Sequence, residues 1–161
     1  MRTLLAMAVL GGGVAHTTLA PILRIGDVAP DIPLIVVVLL ALRRGPEFGC
    51  VAGCMAGLLQ DATGGGLIGV QALTKAVVGF TIGALGARLS VGQPLVQVPG
   101  LVLLSIAEGL ARYALLQLFH FPAPLGPMLG YVVLPQALYN GVLGAALVLA
   151  LAWYRALREA A

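Results

Sequence analysis

The chain has 161 residues, of which 60% are hydrophobic and only 9% are charged, and its mean hydropathy is +1.05. Soluble domains carry about 25% charged residues, so this composition excludes an ordinary soluble protein and indicates a membrane protein. The formal net charge of +3 does not indicate nucleic-acid binding, because the basic residues stand singly or in pairs at the ends of apolar runs and form no patch.

Long uninterrupted apolar runs predict helices rather than a β-barrel. Only these two structures satisfy all backbone hydrogen bonds within lipid, and barrel strands would alternate polar and apolar residues over about 10 positions. Since a spanning helix needs roughly 20 residues, we predict an all-α bundle of six transmembrane helices with short loops, forming one integral membrane domain over 1–161. The predicted spans are Thr3–Leu23, Pro30–Leu42, Pro46–Thr63, Leu67–Ala87, Val96–Phe119 and Leu125–Tyr154.

Three of these spans have distinctive features. The first could be a signal peptide, but Thr18-Leu19-Ala20 is a poor cleavage site followed by Pro21, so we expect it to be retained. The second is short, about 20 Å of helix against a hydrocarbon core of about 30 Å, and is preceded by an outer segment at 24–33. The sixth is expected to be interrupted at Pro135.

The arginines predict the orientation, because cytoplasmic loops carry an excess of basic residues. With the N-terminus in the cytoplasm, only Arg24 lies outside. A five-span arrangement is the alternative, and it would remove this asymmetry. We therefore predict a multi-pass protein of a bacterial inner membrane with both termini cytoplasmic. The arginines predicted to lie inside are Arg2, Arg43, Arg44, Arg88, Arg155 and Arg158.

Small residues recur every four positions in the third and fourth spans, which places them on one face of each helix. Such spacing lets two helices approach until their backbones touch. Because the turn between the spans has only about three residues, we predict an antiparallel hairpin packed along these faces. The third-span stripe is Gly45, Gly49, Gly53, Gly57 and Asp61, and the fourth-span stripe is Gln71, Lys75, Gly79, Gly83 and Ala87.

Four charged residues, Asp61, Lys75, Glu108 and Arg112, fall within predicted spans. Intramembrane charges usually face the bundle interior with a partner and are functional suspects. Asp61 could pair with Lys75, and Glu108 could pair with Arg112 at i and i+4. The two interpretations are a closed structural network and an ion or ligand site.

The remaining polar residues predict no catalytic or metal site and no cofactor. Gln136 and Asn140 lie four apart on the sixth span and are expected to hydrogen-bond to another helix. Cys50 and Cys54 are too few for a structural zinc site, and His16 and His120 lack partners at ligand spacing. No nucleophile and base are spaced so as to meet. We expect a protein that is not an enzyme.

The stretch from Pro30-Asp31 to Gly79 resembles the rod shape-determining protein MreD family. It has a Pro-Asp opening before a short aliphatic span, then Arg43-Arg44-Gly45-Pro46, then a glycine-spaced span ending in Gly57-Leu58-Leu59-Gln60-Asp61. The resemblance implies a non-enzymatic component of the cell-elongation machinery. Such a component binds the membrane-anchored scaffold MreC and supports peptidoglycan synthesis by the glycosyltransferase and transpeptidase pair.

The family is also similar in size and span number to the substrate-binding components of energy-coupling-factor vitamin transporters. That alternative predicts a small-molecule pocket that opens outward. Its lining would include Asp61, Gln71, Lys75 and Asn140.

Overall fold

The structure is a computed structural model. It describes residues 11–14, 16–19, 22–24, 28–64, 67–86, 94–120 and 124–159. Most of the first predicted span, Arg2, Arg88 and part of the turn between the third and fourth spans lie outside these residues.

Helices account for nearly all the described residues. We label the helical residues 11–14 and 16–19 α1, and the helices that follow are α2 (Ile32–Arg44), α3 (Pro46–Gly64), α4 (Val70–Gly86), α5 (Pro94–Leu118), α6 (Leu125–Met128) and α7 (Leu134–Glu159). A π-helical turn, Leu129–Val133, joins α6 to α7, so 125–159 is one continuous helical rod. The prediction of an all-helical chain is confirmed for the part of the chain that the structure describes.

Two stretches are long and apolar enough to cross a membrane within the described ranges, Val98–Leu118 and Leu125–Ala150. Val70–Gly86 is apolar but shorter. The assignment of six spans therefore stays a prediction. Helix α2 has 13 residues, which is about 20 Å at 1.5 Å per residue, so it cannot cross a 30 Å core unaided.

The helices pack as two groups that meet along α4 and α5. In the first group, α3 and α4 form the most extensive contact, and α2 lies against both; in the second, α5 packs against α7. The main buried apolar cluster joins the groups: Leu34, Ile35, Val38, Val78 and Leu101. The groups are therefore held together by apolar contacts from α2, α4 and α5.

Both ends of α2 are defined by its sequence. Asp31 is the N-cap, and its Oδ1 accepts a hydrogen bond from the Leu34 N–H at 3.1 Å, with a proline in the first turn. At the other end Gly45 has φ +90°, which only glycine adopts readily, and Pro46 begins α3 directly. Asp31 is thus fixed by the backbone geometry of the helix that it caps.

The expected interruption of the sixth span lies elsewhere than predicted. The rod continues through Pro135, and the irregularity is the π-helical turn just before it, where the Leu134 N–H bonds to the Leu129 carbonyl. A proline ring collides with the carbonyl four residues earlier in a regular helix. The wider π turn displaces that carbonyl, so the helix absorbs the proline without breaking.

Candidate functional site

The residues that share polar contacts around Lys75 form a polar cluster inside the bundle: Asp31, Gln71, Lys75, Ser105, Glu108 and Asn140. Lys75 lies in the second turn of α4 and is 0% exposed. Its Nζ lies 2.8 Å from Asp31 Oδ2, 3.4 Å from Glu108 Oε1 and 2.7 Å from Gln71 Oε1. The ammonium group therefore has two carboxylates and one amide oxygen around it, and Lys75 has no surface exposed to solvent.

Asp31 joins α2 to two other helices. One carboxylate oxygen caps α2, and the other forms the ion pair with Lys75, which is a close charge contact rather than an aligned hydrogen bond. The backbone N–H of Asp31 donates to Asn140 Oδ1 at 2.8 Å, which links α2 to α7. Asp31, at the start of the short helix α2, thus holds α4 and α7 in place relative to α2.

Glu108 brings α5 into the same cluster. Its side chain is buried, and its Oε1 accepts a hydrogen bond from the Thr74 hydroxyl at 3.1 Å in addition to its contact with Lys75. One turn earlier on α5, Ser105 Oγ accepts a hydrogen bond from Asn140 Nδ2 at 3.1 Å. Since Glu108 lies in the middle of the candidate span Val98–Leu118, the cluster lies at the depth of that span's centre.

The structure corrects the expected pairing of Lys75 with Asp61. Asp61 lies on the same helical stripe as predicted, but it caps α4 from the preceding helix: its oxygens accept hydrogen bonds from the backbone N–H groups of Gly69, Gln71 and Ala72 at 2.8–3.2 Å. The first N–H groups of a helix lack partners within it, so a carboxylate there is well placed. Lys75 lies deeper and takes Asp31 instead.

The structure also corrects the expected pairing of Glu108 with Arg112. Glu108 turns toward α4, whereas Arg112 Nη2 donates to Gln136 Oε1 at 3.3 Å, and the amide of Gln136 donates to the Ala29 carbonyl at 3.0 Å. With both pairings corrected, the formal charges of Asp31 and Glu108 balance those of Lys75 and Arg112.

The glycine faces of α3 and α4 bring Lys75 to this depth. A Cβ added at Gly49 would collide with the Gly79 carbonyl, and one at Gly83 would meet the backbone of Gly45 and Pro46 at 2.5 Å. One helical turn further along α3, toward the hairpin turn, an added Cβ at Gly53 would collide with the carbonyl of Lys75 itself. The backbone of Lys75 is therefore pressed against α3.

The face ends at Gly57, where an added Cβ would collide with the backbone of Gln71 and Ala72. Glycine contacts thus extend along the hairpin from Gly83 to Gly57. With the α4 backbone held against α3 along this length, the side chain of Lys75 reaches toward α2 and α5, where Asp31 and Glu108 lie.

The sequence analysis places Asp31 in the outer segment at 24–33, whereas the structure places it in the buried polar cluster. The short length of α2 is the feature of the sequence that indicates this position. A helix of about 20 Å whose basic end lies at one membrane surface must end some 10 Å short of the other. The N-cap of α2 then falls within the hydrocarbon, and a carboxylate there needs a cationic partner.

A polar cavity of about 640 Å³ lies beside the cluster, near the α3 end of the hairpin turn. Gln71 joins the cavity to the cluster, because its side chain lines the cavity and its oxygen accepts from Lys75. Gln60 makes the second connection, since it also lines the cavity and its Nε2 lies 3.4 Å from Asp31 Oδ1. Within the described residues, no group of three histidine, cysteine or acidic side chains could hold a metal ion.

Comparison with known proteins identifies the family. A family model described as rod shape-determining protein MreD matches residues 2–157, essentially the whole chain. No curated protein and no solved structure matches it. The match extends well beyond the Pro30–Gly79 stretch that carries the resemblance in the sequence. The chain is a membrane protein that belongs to the rod shape-determining MreD family.

Proposed function

We propose that this protein is a non-enzymatic component of the bacterial cell-elongation (Rod) complex that binds the MreC scaffold. Through that complex it would support peptidoglycan synthesis by the glycosyltransferase and transpeptidase pair. The observation that carries the proposal is the family match over 2–157. The use of polar side chains supports it: Lys75, Glu108 and Asn140 are buried and bonded to one another or to neighbouring helices, as in a structural framework.

The proposed location is the inner membrane, with both termini in the cytoplasm. The arginine distribution supports this orientation, because Arg43 and Arg44 end α2 and Arg158 lies in the last turn of α7. Trp153 and Tyr154, both exposed, lie near the same end of α7, where amphipathic rings suit a membrane interface. The turn between α3 and α4 and the polar cavity would then face outward.

The start of the last helical rod is the proposed contact for a partner helix. Gly126 and Gly130 are exposed and four residues apart, and an added Cβ at either would meet nothing within 4 Å. Small residues at this spacing allow close approach of a second helix, and π-helical turns are frequent at functional sites. Tyr131, 76% exposed beside them, offers an aromatic side chain to the same partner.

Copurification tests the proposal. Tagged full-length protein, extracted from native membranes in a mild detergent, should retain an MreC-like scaffold protein. Gly130→Leu should abolish retention without lowering the melting temperature, because the site is open in the isolated chain. Gly100→Leu is the matched control, since an added Cβ at that α5 glycine also meets nothing within 4 Å.

Two results would count against the proposal. Absence of the scaffold from repeated extractions of the unmodified protein would refute the partner assignment. If Gly100→Leu and Gly130→Leu reduced retention equally, the proposed contact face would be wrong while the partner assignment stood.

The vitamin-transporter alternative is favoured by one observation, the 640 Å³ polar cavity. Of the residues expected to line such a pocket, Gln71 does so, whereas Lys75 and Asn140 are fully buried in the cluster and Asp61 caps α4. This alternative predicts thermal stabilisation by a vitamin and copurification of a coupling subunit. A vitamin screen without any shift in melting temperature would exclude it.

A further inference from the structure

The polar cavity continues into a smaller apolar cleft. The cleft has a volume of about 170 Å³ and lies between α1 and α3, with Val14, Pro33 and Leu59 on its walls. His16, Thr17, Gln60 and Thr63 line both spaces, so the cleft opens into the cavity. A molecule that filled both would need a polar head and an apolar chain.

Arg24 supplies the charge at the polar end. It is exposed and is the one charged side chain among the described residues that line the cavity. The carboxylates of Asp31 and Asp61 are engaged elsewhere, Asp31 with Lys75 and Asp61 with three backbone N–H groups at the start of α4. Arg24 therefore presents a positive charge to a ligand in the cavity.

The neutral lining groups offer further donors. The Gln60 amide nitrogen lies 3.3 Å from His16 Nε2 and can only donate, so Nε2 accepts and the proton of the neutral ring lies on Nδ1. That Nδ1 is buried and has no partner in the described part of the chain. Gln71 uses its oxygen to accept from Lys75, which leaves its NH₂ group as a donor.

We propose that the cavity binds the phosphate headgroup of a membrane lipid and that the cleft holds part of its chain. Arginine with additional N–H donors is the recognition set for phosphate oxygens. The buried Gln60 Oε1, which has no partner among the described residues, can accept a hydrogen bond from a hydroxyl group of the headgroup. The proposal goes beyond scaffold binding and does not depend on it, since none of the described residues that line the cavity or the cleft belongs to the last helical rod, which carries Gly126 and Gly130.

Lipid titrations of the purified full-length protein in a mild detergent test this site. The probes are phosphatidylglycerol, undecaprenyl phosphate, diacylglycerol and inorganic phosphate, and the readouts are melting temperature and native mass spectrometry. At least one of the two phosphate lipids should raise the melting temperature and remain bound. Stronger stabilisation by one of them identifies the source of the headgroup. Diacylglycerol should have no effect.

Two substitutions connect binding to the cavity. Arg24→Gln should weaken the apparent affinity about tenfold or more, because a hydrogen bond to a charged group is lost. Arg44→Gln is the matched control, an exposed arginine at the other end of α2 from Asp31. His16→Phe should weaken binding less and should leave the melting temperature without lipid nearly unchanged.

Three results would overturn the proposal. Stabilisation by diacylglycerol equal to that by the phosphate lipids would show that the phosphate headgroup is not recognised. Stabilisation by inorganic phosphate equal to that by the phosphate lipids would show that the apolar chain of the lipid is not recognised. Equal affinities of the Arg24→Gln and Arg44→Gln proteins would place any bound lipid elsewhere.

Discussion

The hairpin of α3 and α4 and the polar cluster hold the same lysine by different means. In the hairpin, glycine removes side chains so that the backbone of Lys75 lies against Gly53. In the cluster, the side chain of Lys75 extends to Asp31 and Glu108 on two other helices. The first contact joins neighbours in sequence through shape, and the second joins distant helices through charge.

This difference determines how the stability of each region should respond to substitutions. Helix association in lipid gains little from the hydrophobic effect, so the hairpin depends on close packing and a misplaced methyl group weakens it locally. The cluster depends on charge balance, because removal of one member of an ion pair leaves the other as a buried charge without compensation. We therefore expect the cluster to be the more fragile of the two.

Replacement of Lys75 should have the largest effect. Lys75→Met leaves the carboxylates of Asp31 and Glu108 buried without their cation, and removal of one partner of a buried pair costs about 3–5 kcal/mol. We expect loss of most membrane accumulation and a large drop in the melting temperature of whatever protein can be purified in detergent.

The control for this prediction removes all three charges. In Lys75→Met combined with Asp31→Asn and Glu108→Gln, the polar cluster itself carries no charge and asparagine still caps α2. Recovery of most of the accumulation in the triple variant would show that charge imbalance causes the defect. A triple variant as unstable as Lys75→Met would show instead that the lysine is needed for its shape.

Overpacking of the hairpin should have a smaller effect. Gly53→Leu introduces a side chain where even a Cβ collides with the Lys75 carbonyl, and overpacking typically costs about 1–3 kcal/mol. The melting temperature in detergent should fall accordingly. Gly64→Leu, on the same helix with nothing within 4 Å of an added Cβ, should melt like the unmodified protein. Equal melting temperatures of the two variants would contradict the backbone contact.

The smallest effect is expected for Asp61. Asp61→Leu removes the cap of α4, which should cost about 0.5–2 kcal/mol and accelerate hydrogen exchange of the Gly69–Ala72 amides. Asp61→Asn, which retains one acceptor oxygen, should be milder. If Asp61→Leu lost as much stability as Lys75→Met, Asp61 would belong to the charge balance of the cluster after all.

The two regions also differ in how far the sequence reveals them. The hairpin follows from a four-residue period and a short turn, because i and i+4 share a helix face whatever the rest of the chain does. Asp61 and Lys75 lie on that same pattern, which made their pairing a natural prediction. The four-residue pattern does not show how deep in the bundle each side chain lies. In the structure, backbone N–H groups of the turn and of the start of α4 bind the Asp61 carboxylate, and Lys75 binds Asp31.

The members of the cluster are harder to find from the sequence. Asp31 and Asn140 are 109 positions apart and Lys75 and Glu108 are 33 apart, so no local pattern joins them. Their assembly depends on which way α2, α5 and α7 face, and this orientation involves tertiary packing such as that of Leu34 and Leu101 with Leu143. What the sequence does offer is the short length of α2, from which the depth of Asp31 follows.

The burial of Asp31 at the start of a short helix has a consequence for biogenesis. If α2 and α4 insert together during synthesis, as the six-span prediction requires, Lys75 can meet Asp31 at once, but Glu108 follows 33 residues later on α5. Until α5 arrives and α7 supplies Asn140 for the Asp31 backbone, the helices already inserted expose polar groups that lipid cannot satisfy. We therefore expect protein truncated before α5 to be retained by the insertion machinery or degraded.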